Sequence, residues 1–325
     1  MASYGKILSL LRASSDEYIS GQEISTVLHV SRAAVWKQIK VLRELGFEIE
    51  SKHSQGYRLL SAPDVLLAAE VENELNCQLI GKSVVSFPET DSTNVQARRL
   101  AEDGALEGTV VIADRQSAGR GRLGRCWESP LGVNLYCSVI LRPEIPVHQA
   151  PQLTFLSAVA VAETLNSICH LSAEVKWPND ILVNGAKISG LLNEMSAETE
   201  KIHFVILGIG INLNMTADQF PEELNYPATS ALIETGNTID RQKFLQTFIQ
   251  YLDGYYSEFI QEGFIPIRRR WEKLCNIMNL QVEVDQGSGK IRGTVVGLDA
   301  EGALRLQLED DQIKNILTGD VRLIK

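Results

Sequence analysis

Apolar and polar residues follow three different patterns along the chain. Residues 1–62 hold short stretches with apolar residues at helical spacing, followed by two short strand-like runs. Residues 63–278 mix long amphipathic stretches with short apolar runs, whereas residues 279–325 alternate polar and apolar positions between turn residues. We therefore expect a multidomain α+β protein with a helical N-terminal domain, a central α/β domain with a mixed sheet, and a C-terminal SH3-like β-barrel.

The N-terminal segment is predicted to contain three helices. The first covers residues 4–12, the second begins at the capping box Ser20-Gly21-Gln22-Glu23, and the third covers residues 31–45. His29 lies in the turn between the second and third helices, where helix-turn-helix proteins usually have glycine. Histidine tolerates positive φ better than most residues, so we expect the turn to form.

The two faces of the third helix differ in polarity. Its apolar stripe consists of Val35, Ile39, Leu42 and Leu45. Its opposite face presents Arg32, Ala33, Trp36, Lys37, Lys40 and Arg43. A lysine-rich stripe is usually only a solvated surface, but this one follows a capped helix and a tight turn and precedes a hairpin at residues 47–60. That order favours a winged helix-turn-helix, whose third helix enters the major groove and whose hairpin lies against the DNA backbone.

Helices and short strands alternate in the central segment. Long helices are predicted over residues 149–171 and 240–261, and a shorter one begins at Asp91-Ser92-Thr93-Asn94. Strands are expected over residues 175–177, 181–183, 187–195 and 203–209, with the strong hairpin signal Asn184-Gly185 between two of them. In the last segment, strands are expected over residues 281–285, 291–298, 303–308, 313–317 and 321–324.

Composition limits the classes of protein that the chain can represent. No apolar run approaches the length of a membrane span, and the N-terminus lacks an export signal. The five cysteines are scattered and never spaced C-x-x-C, which predicts reduced thiols and no zinc cluster in a cytoplasmic protein. The net charge is −10, yet residues 1–60 hold eight basic and six acidic residues. Contact with nucleic acid is therefore expected only through the N-terminal domain.

Glycine and arginine alternate in Gly119-Arg120-Gly121-Arg122-Leu123-Gly124-Arg125, between strand-like runs at residues 109–113 and 134–141. Glycines let the backbone approach a ligand closely, and guanidinium groups can cover its anionic part. The spacing also fits G-x-G-x-x-G, but a dinucleotide-binding fold needs a helix directly afterwards. Because Pro130 and Gly132 disfavour that helix, a loop that folds over a small phosphorylated ligand is the better hypothesis.

Four further clusters have both a structural and a functional interpretation. Ser92-Thr93-Asn94 can cap a helix or offer hydroxyl and N–H groups to a ligand. Gln116, just before the glycine–arginine loop, would in isolation be a surface glutamine. Lys176-Trp177-Pro178-Asn179-Asp180 fits a turn, yet it gathers a cation and a stacking surface near Lys187. Gly208-Ile209-Gly210-Ile211-Asn212 ends an apolar strand, where two glycines indicate close backbone approach by a ligand or by neighbouring structure.

Together and in this order, these motifs resemble the biotin–protein ligases, in particular the members that are both ligase and biotin-operon repressor. The matching segments are residues 91–94, 116–124, 176–180, 187–190 and 208–212. Residues 30–37 resemble the family's DNA-binding helix, and the last segment resembles its C-terminal barrel, so the resemblance covers nearly the whole chain. Two positions depart from the pattern: Ser189 stands where alanine is usual, and Asn193 stands where an apolar residue is common.

The resemblance implies an ATP-dependent ligase. With ATP and Mg²⁺ it would convert biotin to biotinoyl-5′-AMP, which would then acylate a lysine of a biotin carboxyl carrier protein. Biotinoyl-5′-AMP would also act as corepressor, favouring a homodimer that binds the operator DNA of biotin synthesis genes. Two alternatives stay open. One is a ligand-sensing repressor with little ligase activity, which would be expected to lose Lys187 or Arg122; the other is a lipoate-ligase-like acyl transferase.

The resemblance also implies which residues form the sites. Biotin would contact Ser92, Thr93, Asn94, Gln116, Arg120, Gly121, Arg122, Lys187 and Gly190. ATP and the adenylate would contact Arg122, Trp127, Lys176, Asn179 and Asn212. Lys187 and Arg122 would be catalytic, and no protein-held metal is expected. DNA would be contacted by Arg32, Ala33, Trp36, Lys37 and Arg58.

Overall fold

The computed structural model describes residues 3–14, 17–73, 75–223, 226–287 and 289–324. Contacts divide the chain into two compact units, residues 1–75 and residues 76–325. Among the helices of the described residues, none is both long and apolar enough to cross a membrane.

The N-terminal unit contains a helix-turn-helix followed by a hairpin and a short helix. Its elements are α1 (Ser3–Ala13), α2 (Gly21–Leu28), α3 (Arg32–Glu44), β1 (Glu48–Lys52), β2 (Gly56–Ser61) and α4 (Ala68–Asn73). The Ser20 hydroxyl accepts a hydrogen bond from the Glu23 N–H at 3.0 Å, which begins α2 as predicted. His29 has φ 53° and ψ 40°, the left-handed conformation that its turn position requires. The predicted three helices and hairpin are therefore confirmed.

Helix α4 is missing from the sequence prediction, and it packs against α1. The two helices cross closely, because a Cβ added at Gly5 would lie 2.2 Å from the Cβ of Ala69. The Arg12 guanidinium lies 3.0 Å from the buried carboxylate of Glu70. Leu67, just before α4, belongs to the hydrophobic core of the unit. The compact unit therefore continues beyond residue 62, where the sequence places the domain boundary.

A mixed seven-stranded sheet forms the centre of the second unit, as the sequence predicts. In spatial order its strands are β3 (Val84–Phe87), β4 (Val110–Ala113), β5 (Leu135–Leu141), β9 (Ile202–Ile211), β8 (Ala186–Ala197), β7 (Asp180–Val183) and β6 (Glu174–Lys176). Strands β3 and β4 pair in parallel, and the other neighbours pair antiparallel. Every residue of β5 is buried, which explains its nearly continuous apolar run.

Helices cover this sheet. They are α5 (Thr93–Glu102), α6 (Gln152–Ile168), α7 (Ala231–Thr235), α8 (Arg241–Glu262) and α9 (Phe264–Leu274). Helices α5 and α6 pack on the strands, and α8 and α9 pack on α6. The predicted α5, α6 and α8 are present, but α6 is shorter than residues 149–171. It begins only at Gln152, because Pro151 stands at its N-cap after a separate 3₁₀ turn, and it ends at Ile168, shortly before His170 adopts a positive φ of 53°. Strand β3 and helices α7 and α9 are not in the sequence prediction.

The β7–β8 hairpin turns at Asn184-Gly185, as predicted. Asn184 has φ 51° and Gly185 has φ 78°, so both central residues adopt the positive φ of a type I′ turn. The return of β8 along β7 brings the Lys187 side chain to within 2.5 Å of the Asp180 carboxylate. A short turn thus joins two charged groups that are seven positions apart in the sequence.

The C-terminal strands form a second, antiparallel sheet. In spatial order they are β13 (Ile313–Ile316), β12 (Leu304–Gln307), β11 (Lys290–Leu298), β10 (Gln281–Asp285) and β14 (Asp320–Leu323). The predicted five strands are present, but within the described residues the edge strands β13 and β14 do not pair, so the sheet is not closed into a barrel. It packs against the central helices: the Leu298 N–H donates to Oε1 of Glu272 at 3.1 Å, and Gly302 lies against the ring of Phe155.

Candidate active site

One cavity of the second unit brings together side chains from all the ligand motifs found in the sequence. The predicted residues that line it are Ser92, Thr93, Asn94, Gln116, Arg120, Gly121, Arg122, Trp127, Lys176, Asn179, Lys187 and Gly190. An adjoining cavity is lined by Asn212 and shares Trp127 and Lys187 with the first. All the ligand residues expected from the sequence thus line one or the other of two adjoining cavities.

The N-terminus of α5 forms one wall. The Thr93 N–H donates to Oε1 of Gln116 at 2.8 Å, and the Gln116 Nε2 donates to the Ser129 hydroxyl at 2.9 Å. Ser138 on β5 is completely buried, and its hydroxyl lies 2.8 Å from Oγ1 of Thr93. Ser92 occupies the N-cap of α5 but makes no capping hydrogen bond through its side chain. The Gln116 amide is therefore fixed beside two hydroxyl groups at this wall.

Asn94 has a structural role in the same wall. Its Nδ2 donates to the Leu192 carbonyl at 3.1 Å and to Oε2 of Glu194 at 2.9 Å, while its Oδ1 accepts from the Ser138 hydroxyl at 2.7 Å. A Cβ on Gly208 would lie 2.2 Å from the same Oδ1. Asn94 therefore holds α5 against β8 and β9, and its contact with biotin stays a prediction.

Trp127 lies directly on two paired glycines. Gly190 of β8 and Gly210 of β9 are cross-strand partners. A Cβ on Gly210 would lie 2.6 Å from the indole, and one on Gly190 would lie 3.0 Å from it. The indole Nε1 is buried without a hydrogen-bond partner among the described residues. The two glycines thus explain how a large aromatic ring can reach the surface of the sheet.

Two cationic side chains that line the cavity, Lys187 and Arg122, have polar partners. The Lys187 Nζ lies 2.5 Å from Oδ1 of Asp180 and 5.5 Å from the centre of the Trp127 ring. The Arg122 Nη1 donates to Oδ1 of Asn179 at 3.1 Å. In turn, the Asn179 Nδ2 donates to the Leu191 carbonyl at 2.6 Å, so the turn at residues 177–180 is anchored to β8. Arg122 and Lys187 are therefore both held at the cavity by hydrogen-bonded partners.

The C-terminal sheet adds residues that the sequence does not predict. Asp320 and Val321 line the cavity, and Asp320 Oδ2 lies 2.7 Å from the Arg125 Nη2. Burial tends to raise the pKa of the Asp320 carboxyl, but the hydrogen bond from Arg125 and nearby cationic charges outweigh burial and lower the pKa below its usual range. Tyr226 also lines the site, with its ring centre 4.6 Å from the Lys176 Nζ.

The two departures from the family pattern are accommodated by hydrogen bonds. The Ser189 hydroxyl is buried and donates to the Gly210 carbonyl at 2.8 Å. The Asn193 Nδ2 donates to Oγ1 of Thr154 on α6 at 2.8 Å. The donor group of each side chain therefore has a partner, whereas the buried Asn193 Oδ1 has no hydrogen-bond partner among the described residues.

The proposed DNA-contacting residues lie on the N-terminal unit. Arg32, Ala33, Trp36 and Lys37 are exposed on α3, with Trp36 57% exposed. Arg58 of β2 differs from them, because its Nη2 donates to Oε2 of Glu50 at 2.8 Å and its guanidinium carbon lies 4.8 Å from the Tyr18 ring centre. The contact of Arg58 with phosphate stays a prediction.

Comparison with known proteins identifies the family. The model of the biotin/lipoate A/B protein ligase family matches residues 86–212, a helix-turn-helix domain model matches residues 5–58, and the biotin protein ligase C-terminal domain model matches residues 279–323. The bifunctional ligase/repressor BirA of Bacillus subtilis is 39% identical over 317 residues, covering 98% of this chain and 97% of that protein. The chain belongs to the biotin protein ligase family.

Other members of the family support this assignment. The bifunctional ligase/repressor BirA of Escherichia coli is 34% identical and covers 98% of this chain and 96% of its own length. The structure of the biotin protein ligase from Aquifex aeolicus in complex with biotin and ATP superposes with a TM-score of 0.65 at 34% identity, and it covers 75% of this chain and 99% of that one.

Proposed function

We propose that this protein is an ATP-dependent biotin–protein ligase that forms biotinoyl-5′-AMP and transfers biotin to a lysine of a biotin carboxyl carrier protein. We also propose that it represses biotin synthesis genes, with biotinoyl-5′-AMP as the corepressor. The observation that carries the ligase assignment is the convergence, in one cavity, of the α5 N-terminus, the glycine–arginine loop, the turn at residues 176–180 and Lys187. No single motif would justify it.

The chemistry requires activation of a carboxylate. A carboxylate oxygen of biotin would attack the α-phosphorus of ATP, and pyrophosphate would leave. The resulting mixed anhydride is a good acyl donor, so the neutral amine of an acceptor lysine would attack its carbonyl carbon and AMP would leave. The first step brings two anionic groups together, and positive charge at the cavity therefore lowers its barrier.

The cavity offers the groups that these steps need. We propose that Ser92, Thr93 and Gln116 hydrogen-bond the ureido end of biotin. Lys187 would lie beside the carboxylate of biotin and the reacting phosphoryl group. Its Nζ is held at the cavity wall by Oδ1 of Asp180, 2.5 Å away. The remaining proposed contacts, with the adenylate, are Arg122, Trp127, Lys176, Asn179 and Asn212. Arg120 and Arg122 would close the loop over bound ligand.

Mg²⁺ would bind together with ATP. The two carboxylates at the cavity, Asp180 and Asp320, are already paired with Lys187 and Arg125. The described residues contain no group of three or more His, Cys, Asp or Glu side chains that could hold a metal. That donor set fits an ion held mainly by phosphate oxygens, and such an ion would neutralise part of the phosphate charge.

Repression would use the N-terminal unit. We propose that α3 enters the major groove through Arg32, Ala33, Trp36 and Lys37, and that Arg58 contacts phosphate. A ligand-promoted homodimer would present two such units to the operator, so the corepressor would raise DNA affinity through linkage. We further propose that the C-terminal sheet is the SH3-like domain of the family and that the protein works in the cytoplasm.

Transfer of biotin to a carrier domain tests the ligase assignment. Purified protein is incubated with ATP, Mg²⁺, a biotin carboxyl carrier domain and either biotin or lipoate, and the mass of the acceptor is measured. We expect a single biotin on the acceptor and no lipoate. Labelling by lipoate would support the lipoate-ligase alternative, and absence of labelling with intact ligand binding would support a sensor without ligase activity.

Operator titration tests the repressor assignment. Binding to a palindromic fragment from a biotin synthesis operator is measured at fixed salt, with and without biotin plus ATP, and the mass of the complex is followed by ultracentrifugation. We expect tighter binding and a dimer on DNA in the presence of both ligands. Equal affinity for the operator with and without biotin plus ATP would mean that the protein is a ligase whose DNA binding is not controlled by ligand.

A further inference from the structure

Arg241, the first residue of α8, is a completely buried cation that lines neither cavity. Its Nη2 donates to Oδ1 of Asp114 at 2.8 Å, and its Nη1 donates to the Asn134 carbonyl at 3.0 Å. Asp114 is 7% exposed and Asn134 is fully buried. Burying a charge is costly even when it is paired, and an apolar pair often serves stability as well. The position of this ion pair therefore calls for an explanation beyond stability.

Asp114 and Asn134 are the two ends of the glycine–arginine segment. Asp114 directly follows the last residue of β4, and Asn134 directly precedes the first residue of β5. Gln116, the arginines of the loop and Trp127 all lie between these two residues. One guanidinium thus ties together the points at which the ligand loop leaves the sheet and returns to it.

Asn134 extends this connection to the second cavity. Its Oδ1 accepts from the Leu213 N–H at 3.0 Å, and its Nδ2 lies 3.4 Å from Oδ1 of Asn212 and 3.2 Å from Sδ of Met215. Asn212 and Met215 line the cavity next to Trp127. The Asn212 Nδ2 donates to the Thr229 carbonyl at 3.1 Å, so the orientation of this amide is determined by Asn134 and the backbone together.

We propose that Arg241 is a positioning residue for the nucleotide end of the site. By fixing the two ends of the ligand loop and, through Asn134, the Asn212 amide, it sets the affinity for ATP and the retention of the acyl-adenylate. This inference rests on the proposed ligase function. Biotin affinity should depend on Arg241 less, because Ser92 and Thr93 lie at the start of α5 and Thr93 is also bonded to Ser138 of β5, whereas Gln116, which accepts from the Thr93 N–H, lies on the ligand loop.

Two forms of the full-length protein test this role. Arg241→Gln removes the cation, while the double variant Arg241→Met with Asp114→Leu removes both charges of the pair together. The matched control is Asp253→Asn, a buried carboxylate on the same helix whose oxygens accept the N–H groups of Gln78, Leu79 and Ile80. Melting temperature, KM for ATP and for biotin in pyrophosphate exchange, and the rate of release of the acyl-adenylate are measured for each.

We expect both Arg241 variants to raise the KM for ATP and the rate of adenylate release by roughly ten- to a hundredfold, the scale of a small misplacement of catalytic groups. The KM for biotin should change less than the KM for ATP, and Asp253→Asn should lower the melting temperature without changing these ligand constants. If Arg241→Gln does not fold, the double variant decides. A folded double variant with wild-type KM for ATP and wild-type adenylate release would overturn the proposal. If the wild-type protein makes no adenylate from biotin and ATP, the proposed function fails, and this inference fails with it.

Discussion

The Arg125 guanidinium and the Asp320 carboxylate form an ion pair, with 2.7 Å between Nη2 and Oδ2, although the residues are 195 positions apart. Arg125 belongs to the glycine–arginine loop, and Asp320 begins β14 of the C-terminal sheet. The pair therefore fastens the loop that borders both cavities to a separate sheet. Because the pKa of Asp320 is lowered, its carboxylate stays charged at neutral pH, and the ion pair is lost only as the pH falls through that lowered value.

Removing this ion pair should loosen the loop with little loss of stability. The two side chains are 47% and 31% exposed, and exposed ion pairs contribute about 0–1 kcal/mol. We expect Asp320→Asn to speed the loss of acyl-adenylate and to leave the melting temperature nearly unchanged. The exchanged pair Arg125→Asp with Asp320→Arg should restore part of the retention, and Glu89→Gln, which breaks the exposed pair with Arg115, is the control. Wild-type retention in Asp320→Asn would show that the contact has no role in closing the site.

Lys187→Ala should severely slow adenylate formation in a folded protein. Its ammonium is the cation that lies between the Asp180 carboxylate and the Trp127 ring, so its loss removes positive charge from the reacting groups. Losing one charge-stabilising group costs roughly 10²–10³ in rate. Biotin-dependent pyrophosphate exchange is measured on Lys187→Ala, with Lys187→Arg as the variant that keeps a cation. A wild-type rate of pyrophosphate exchange in Lys187→Ala would show that Lys187 is not a catalytic residue.

Local signals predicted elements well where one or two residues determine the backbone. Asn184-Gly185 predicts the β7–β8 turn because both residues tolerate positive φ, and the cap at Ser20 predicts the start of α2. Helix α9 is not in the sequence prediction, and it contains Pro266 in its first turn. Proline is nevertheless acceptable at this position, because the first turn of a helix has N–H groups without helical partners.

The ligand motifs could be found from the sequence because each is a short local segment. Asp320 and Tyr226 could not, since their position at the cavity depends on how the C-terminal sheet and the segment before α7 fold onto the site. Ser138 had a usable signal: it is a polar residue within the buried apolar run of β5, and such a residue needs a hydrogen-bond partner. Arg241 had no such signal, because an arginine at the start of an amphipathic helix is usually a surface residue.

The position of the N-terminal boundary determines which truncated protein is stable. Leu66, Leu67 and Val71 are buried, and α4 packs on α1. Removal of residues 1–62 exposes these side chains, whereas removal of residues 1–75 takes the whole compact unit. We expect both truncated proteins to lose operator binding. Only the protein that lacks residues 1–75 should remain monodisperse by light scattering and form adenylate at a normal rate. If the longer deletion abolishes adenylate formation, the N-terminal unit supports the active site.

Glu50 partly neutralises the arginine that is proposed to contact DNA phosphate from the hairpin. Glu50 Oε2 accepts from the Arg58 Nη2 at 2.8 Å and from the Tyr18 hydroxyl at 2.5 Å, and hydrogen bonding by Tyr18 and then by Arg58 lowers the pKa of the Glu50 carboxyl. The carboxylate is therefore charged whenever the protein binds DNA near neutral pH. Two substitutions with opposite expected effects follow from this arrangement.

Glu50→Gln should strengthen operator binding, and Arg58→Gln should weaken it. Each phosphate contact that a cation makes releases counterions, so the slope of log K against log salt should become about one unit shallower in Arg58→Gln, for specific and nonspecific DNA alike. Glu50→Gln should not make the slope shallower, because the Arg58 charge is then free of its partner carboxylate. The control is Glu48→Gln, an exposed glutamate on the same strand, which makes the same change in net charge. DNA affinity is measured by titration at several salt concentrations. An unchanged slope in Arg58→Gln would mean that Arg58 does not contact phosphate and only stabilises the hairpin through Tyr18 and Glu50. Equal gains in affinity from Glu50→Gln and Glu48→Gln would mean that the change in net charge alone is responsible.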